Sequence, residues 1–153
     1  MTASVDLFGV QMPLEAAVAL VGEVVVGIVL LASVYMAAKH QGRVHHWMML
    51  SAYLGDELVL KPIMYYRASL GVFGPFPFYH TSGFTHLIIG IVAAALGLAA
   101  ILLAFKFRAR SGKKMYLKVK GRPHRWFGAA YVVAWYVSLF YGLLIVHQVY
   151  GAF

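Results

Sequence analysis

The chain has 153 residues, 62% hydrophobic and 12% charged, against about 45–50% and about 25% in ordinary soluble domains. A soluble core of this size cannot hide so much apolar surface. A membrane-spanning helix takes about 20 mostly apolar residues to cross roughly 30 Å of hydrocarbon, so the length suits one domain of four spans with short loops. Cysteine is absent, which excludes disulfides, thiolate metal sites, covalent c-type haem attachment and cysteine nucleophiles. Any metal therefore falls to His, Met, carboxylate or Tyr.

In chain order, Met1 to Met12 carries no Lys or Arg and no small-residue cleavage site after a short apolar run. It reads as a short external tail rather than a cleaved signal peptide. Apolar runs then predict spans at about 14–38, 46–66, 84–107 and 126–150. The second is unusual because it contains Asp56, Glu57 and Lys61, each costing about 2.5 to 3.5 kcal/mol at a helix centre on insertion scales. Its other residues, among them Leu54, Leu58, Val59 and Ile63 with Trp47 and Tyr65 near the ends, still suit a spanning helix.

Positive charge sets the orientation, since short basic loops stay in the cytoplasm. The segment 106–125 holds nine Lys and Arg residues, from Lys106 to Arg125, and the first loop holds Lys39 and Arg43. The other side has only Arg67 near its loop. The prediction is an all-α, four-helix transmembrane bundle in the cell membrane, loops one and three cytoplasmic and both termini on the non-cytoplasmic side. The basic loop supplies most of the formal +8 charge and reads as an orientation signal attracted to anionic headgroups, not a nucleic-acid site. The loop 68–83 places Phe73, Phe76, Phe78 and Tyr79 among Gly74, Pro75 and Pro77, a composition for an interfacial segment lying on the membrane. No internal repeat is evident.

Within the second span, His46, Met49, Tyr53, Asp56 or Glu57, Leu60 and Met64 fall on one helical stripe, which must face inward. Glu57 and Lys61 are one turn apart and can neutralise each other, with Glu23 of the first span a further partner. Pro62 deprives the Leu58 carbonyl of its donor and predicts a kink. In the third span Gly90, Ala93 or Ala94, Gly97, Ala100 and Ala104 form a small-residue seam for close packing, and the fourth offers Gly128, Tyr131, Trp135, Ser138 and Gly142 on one face.

Five of the seven histidines sit at span ends, in two layers by depth: His45, His46 and His124 at the inner end, His86 and His147 at the outer. His124 and His147 are about 34 Å apart along a helix, too far to serve one centre. Histidines paired across helices suit b-type haem, and they suit copper too, with Met48, Met49 or Met64 as thioether donors.

Three stretches together, 45–52 opening span two with His45-His46-Trp47-Met48, Thr85-His86-Leu87-Ile88 opening span three, and His124-Arg125-Trp126 with Trp135-Tyr136-Val137-Ser138 in span four, resemble the small four-helix membrane proteins of the CtaM type. This uncharacterised-domain family is tied to assembly of haem–copper terminal oxidases. The resemblance covers roughly the last two-thirds of the chain and implies that His45 or His46, His86 and His124 are the family's polar positions. The chain departs from the pattern in having Tyr65-Tyr66-Arg67 where a histidine is expected, an additional His147, and the Asp56-Glu57 pair.

The leading expectation is a respiratory-chain membrane protein that binds haem b or copper through histidines. It would act as a terminal-oxidase assembly factor or accessory subunit beside other membrane subunits, or as a homo-oligomer. The alternatives are a proton- or ion-conducting module using Glu23, Asp56, Glu57 and Lys61, and a purely structural subunit of a larger complex. No nucleophile elbow, zinc-protease pattern or phosphate loop points to an independent enzyme.

Overall fold

The computed structural model describes residues 3–7, 9–69, 81–111, 114–117 and 122–151. The chain begins with an antiparallel hairpin, β1 (Ser4–Leu7) and β2 (Val10–Pro13), where the sequence suggests only a tail. Gly9 supplies the positive φ of 80° that the turn needs, and its N–H donates to Asp6 Oδ1 at 2.8 Å. The hairpin packs on α1 and α5, burying Met12.

Helix α1 (Leu14–Ala38) starts directly after Pro13, whose fixed φ suits a helix entrance, with Glu15 in the first turn. It closes in a tight turn in which Lys39 N–H donates to Tyr35 O and Gln41 N–H to Met36 O, with His40 in the left-handed region at φ 58°. Helix α2 (Gly42–Gly55) follows at once. It runs through a π turn at Asp56–Leu60 into α3 (Lys61–Ser69), making one helical body four residues longer at its start than the predicted second span. At the π turn the Lys61 N–H bonds to Asp56 O, five residues back. The expected disturbance ahead of Pro62 therefore takes the form of a widened turn.

Helices α4 (Thr81–Phe107) and α5 (Arg122–Tyr150) are continuous. Between them β3 (Arg108–Ser111) and β4 (Lys114–Leu117) form a second small hairpin inside the basic segment. Two small β hairpins thus occur where none were expected, one ahead of α1 and one joining α4 to α5. The aromatic loop residues 73–79 and the side chains of 108–121 lie outside the described residues.

Among the described residues, α1, α4 and α5 are long and apolar enough to cross a membrane. At about 1.5 Å per residue even the shortest exceeds roughly 30 Å. Their outward faces carry Val25, Ile28, Leu31, Leu102 and Phe140, all exposed. In water that surface would drive aggregation.

The helices pack as two antiparallel pairs, α1 with α2 and α4 with α5, the second pair far more extensively. The small-residue seam is the reason. Ala93, Ala100 and Ala104 are buried, and at Gly97 an added Cβ would lie 2.7 Å from the Tyr53 ring and 3.1 Å from Tyr131. The pairs meet in a core of Val26, Leu30, Ala52, Leu60, Tyr131 and Trp135. Tyr136 ties them by donating its hydroxyl to Gly27 O at 2.6 Å.

Candidate functional site

One end of the helix array holds Lys39, Arg43 and Lys106 and is called the basic end; the other is the far end. At the basic end, the short α1–α2 turn brings His45 back alongside Ser33, which is fully buried at 0% exposure. His45 Nδ1 lies 3.0 Å from Ser33 O and 2.9 Å from Ser33 Oγ, while Ser33 Oγ reaches His45 O at 3.3 Å. A carbonyl only accepts, so Nδ1 carries the hydrogen and Ser33 Oγ–H donates to His45 O. The lone pair of His45 is then on Nε2.

His124, in the first turn of α5, is held in the same way: Nδ1–H donates to Ala100 O of α4 at 2.8 Å. Buried Ala100 is what lets the imidazole reach that backbone. The rings of His45 and His124 lie next to each other, centroids 6.2 Å apart at 74°. The structure therefore unites two of the three histidines expected in this layer. His46 turns away, its ring against Phe105 at 5.1 Å and Trp47 at 5.7 Å.

Toward the far end, His86 of α4 repeats the serine clasp. Its Nδ1 is 2.8 Å from Ser138 O and 3.2 Å from Ser138 Oγ, and Ser138 Oγ reaches His86 O at 3.3 Å. Gly142 makes room, since an added Cβ there would sit 3.2 Å from the imidazole. His147 does not join His86. It lies nine residues beyond Ser138, about 180° round the helix at 100° per residue, and is exposed.

The charged residues of the second span do gather. Lys61 pairs with Glu57 and lies 3.5 Å from Asp56 Oδ2, and Trp135 Nε1–H donates to the same oxygen at 3.3 Å. Asp56, not Glu57, is the fully buried member at 1% exposure, because the π turn carries it into the core. Its Oδ1 is buried as well. Glu23 of α1 is close enough to interact with both Asp56 and Lys61. These four residues border a cavity of about 310 Å³ between the two helix pairs, with His86 and Trp135 also in its wall.

Among the described residues no three His, Asp or Glu side chains are grouped to hold a metal ion. What the basic end offers is a pair of imidazoles whose Nδ1 atoms are both held by helix carbonyls. Ser33 and Ala100, which fix them, carry no sequence signal beyond being small residues in apolar helices. Comparison with protein-family models, characterised proteins and solved structures gives no match to this chain.

Proposed function

We propose that the chain is a four-span membrane protein, both termini outside, that holds copper(I) between His45 and His124 near the cytoplasmic face. The reading is carried by one observation: both imidazoles donate Nδ1–H to a helix carbonyl, leaving Nε2 basic, with ring centroids 6.2 Å apart. Metal-ligating histidines characteristically donate their other N–H in this way. Two imidazoles bound through Nε2 on opposite sides of one ion, at about 2.0 Å each, would place their centroids about 6 Å apart.

The small donor set favours copper(I), since soft thioether ligands select that ion. Met48 and Met49 stand one turn along α2 from His45. The rigid anchoring supports a site that takes and releases an ion without the helices moving. Support for a fourth span comes from the α2–α3 body, which presents Leu54, Leu58 and Val59 outward while Asp56 is buried. The resemblance to the CtaM type supplies the setting: an assembly factor or accessory subunit for a haem–copper oxidase in the cell membrane, beside other membrane subunits or a second copy.

The test is metal analysis of the purified protein after loading with copper(I). One tightly bound ion is expected, lost in His45→Ala and in His124→Ala but kept in His147→Ala. A purified protein showing sharp haem bands that vanish in His124→Ala would replace copper with haem b. Unchanged copper content in both basic-end variants would sink the proposal.

A further inference from the structure

We infer that the cavity between the two helix pairs receives a flat aromatic alcohol, a phenol or the ring of a hydroquinone, whose hydroxyl donates to His86 Nε2. His86 has no part in the His45–His124 site, so the inference stands independently of the copper reading.

The charged side chains in the cavity wall are spent on one another. Lys61 holds Glu57 and Asp56, Trp135 donates to Asp56, and the Glu23 and Asp56 carboxyls are hydrogen-bonded together. An ion entering here would have to break those pairs. His86, on the α4 side of the same cavity, differs. Its Nδ1–H is fixed on Ser138 O at 2.8 Å, which in the neutral ring leaves a lone pair on Nε2 at the other side of the imidazole. That acceptor has no partner among the described residues. A buried acceptor gains most from a neutral donor, since the donor brings no charge to desolvate.

Size and wall chemistry then select the donor. At roughly 30 Å³ per water-sized group, a cavity of about 310 Å³ takes about ten non-hydrogen atoms, a substituted benzene ring. Leu20, Leu87, Leu139 and Leu143 line it, suited to an apolar body with one directing hydrogen bond. Gly83 and Gly90 fall on the His86 side of α4 and Gly142 faces them from α5, leaving a slot without side chains that a flat ring can enter edgewise. Trp135 in the same wall offers an aromatic surface to a ring. An aromatic hydroxyl is also more acidic than an aliphatic one and so donates more strongly to imidazole. Tyr65 and Ile91 border the cavity and are 56% and 53% exposed. The space therefore reaches the outer, lipid-facing surface, where a hydrocarbon tail could leave.

The test uses the full-length protein in detergent micelles and thymol as probe, a phenol of about eleven non-hydrogen atoms that suits the volume. Calorimetry against empty micelles should show saturable binding at one site. Para-cymene, the same skeleton without the hydroxyl, should bind about tenfold more weakly, as should His86→Phe with thymol, each having lost one hydrogen bond. Menthol, the saturated analogue, should also bind more weakly than thymol. In the wild type, where no variant has to fold, the nitrogen NMR resonance of His86 Nε2 should move upfield with thymol and stay in place with para-cymene. Displacement of thymol by a decyl-substituted hydroquinone supports the inference with a lipid-borne ligand; thymol binding that resists it supports the inference with a free phenol. Absence of saturable thymol binding would overturn it. So would equal affinity for para-cymene or menthol, or an Nε2 resonance that thymol leaves unmoved.

Discussion

Replacing Gly97 with Ala tests whether the α4–α5 seam and the Tyr53–Tyr131 contact are packed as described. A Cβ at this position would stand 2.7 Å from two Tyr53 ring carbons and 3.1 Å from Tyr131. Tyr53 cannot simply swing aside, because its hydroxyl donates to Ala94 O at 3.2 Å and its ring lies edge-on to Tyr131, centroids 6.0 Å apart. Overpacking of this kind costs about 1–3 kcal/mol. Alanine also gains up to about 1 kcal/mol over glycine in helix propensity, so the proper reference is Gly128→Ala, where an added Cβ meets nothing within 4 Å. Relative to that control, Gly97→Ala should be less stable by about 1–3 kcal/mol, or roughly 5- to 150-fold in the unfolding equilibrium. Reversible unfolding in mixed micelles, followed by helical circular dichroism, measures the difference. Equal stability of the two variants would refute the packing described here.

Other outcomes follow from the charged cluster, the serine clasps and the topology. Lys61→Met strips Asp56 and Glu57 of their cation and should destabilise the protein by about 3–5 kcal/mol. Adding Asp56→Asn and Glu57→Gln in the same chain should recover most of that loss, and micelle unfolding that shows no recovery would contradict the pairing. Ser33→Ala should weaken copper binding about tenfold while leaving one site, since the carbonyl still orients His45 and only the hydroxyl support is gone. A competition titration that gives wild-type affinity would remove Ser33 from the site. Because the chain has no cysteine, Gln41→Cys and Ala152→Cys give clean topology probes. A membrane-impermeant maleimide applied to intact cells should label the second and spare the first, and the reverse pattern would invert the orientation.

Much of the architecture is legible in hydropathy, because a long apolar run has few other uses. The charges in the second span are also informative, since they force an inward stripe and so predict the burial of Leu60 and Asp56 and the partial burial of Tyr53. The choice between Asp56 and Glu57 is not legible. It depends on the π turn at Asp56–Leu60, which changes the helix phase by a fraction of a turn, and Pro62 announces a disturbance without saying which kind. Depth along the spans groups His45 with His124, which do meet, but azimuth does not follow from it. His147 lies nine residues, about 13 Å, along α5 beyond Ser138, the partner of His86, and on another side of the helix, whereas His45 and His124 meet only because α1–α2 and α4–α5 close as they do. Ser33 is invisible beforehand, since a serine in an apolar helix ordinarily satisfies itself on its own preceding turn.

The copper pair is examined most directly by X-ray absorption on the copper(I)-loaded, full-length protein. Imidazole nitrogen scattering at about 2.0 Å from two histidines is expected, abolished together in His45→Ala or His124→Ala. A spectrum without histidine scattering, or one unchanged in either variant, would contradict it.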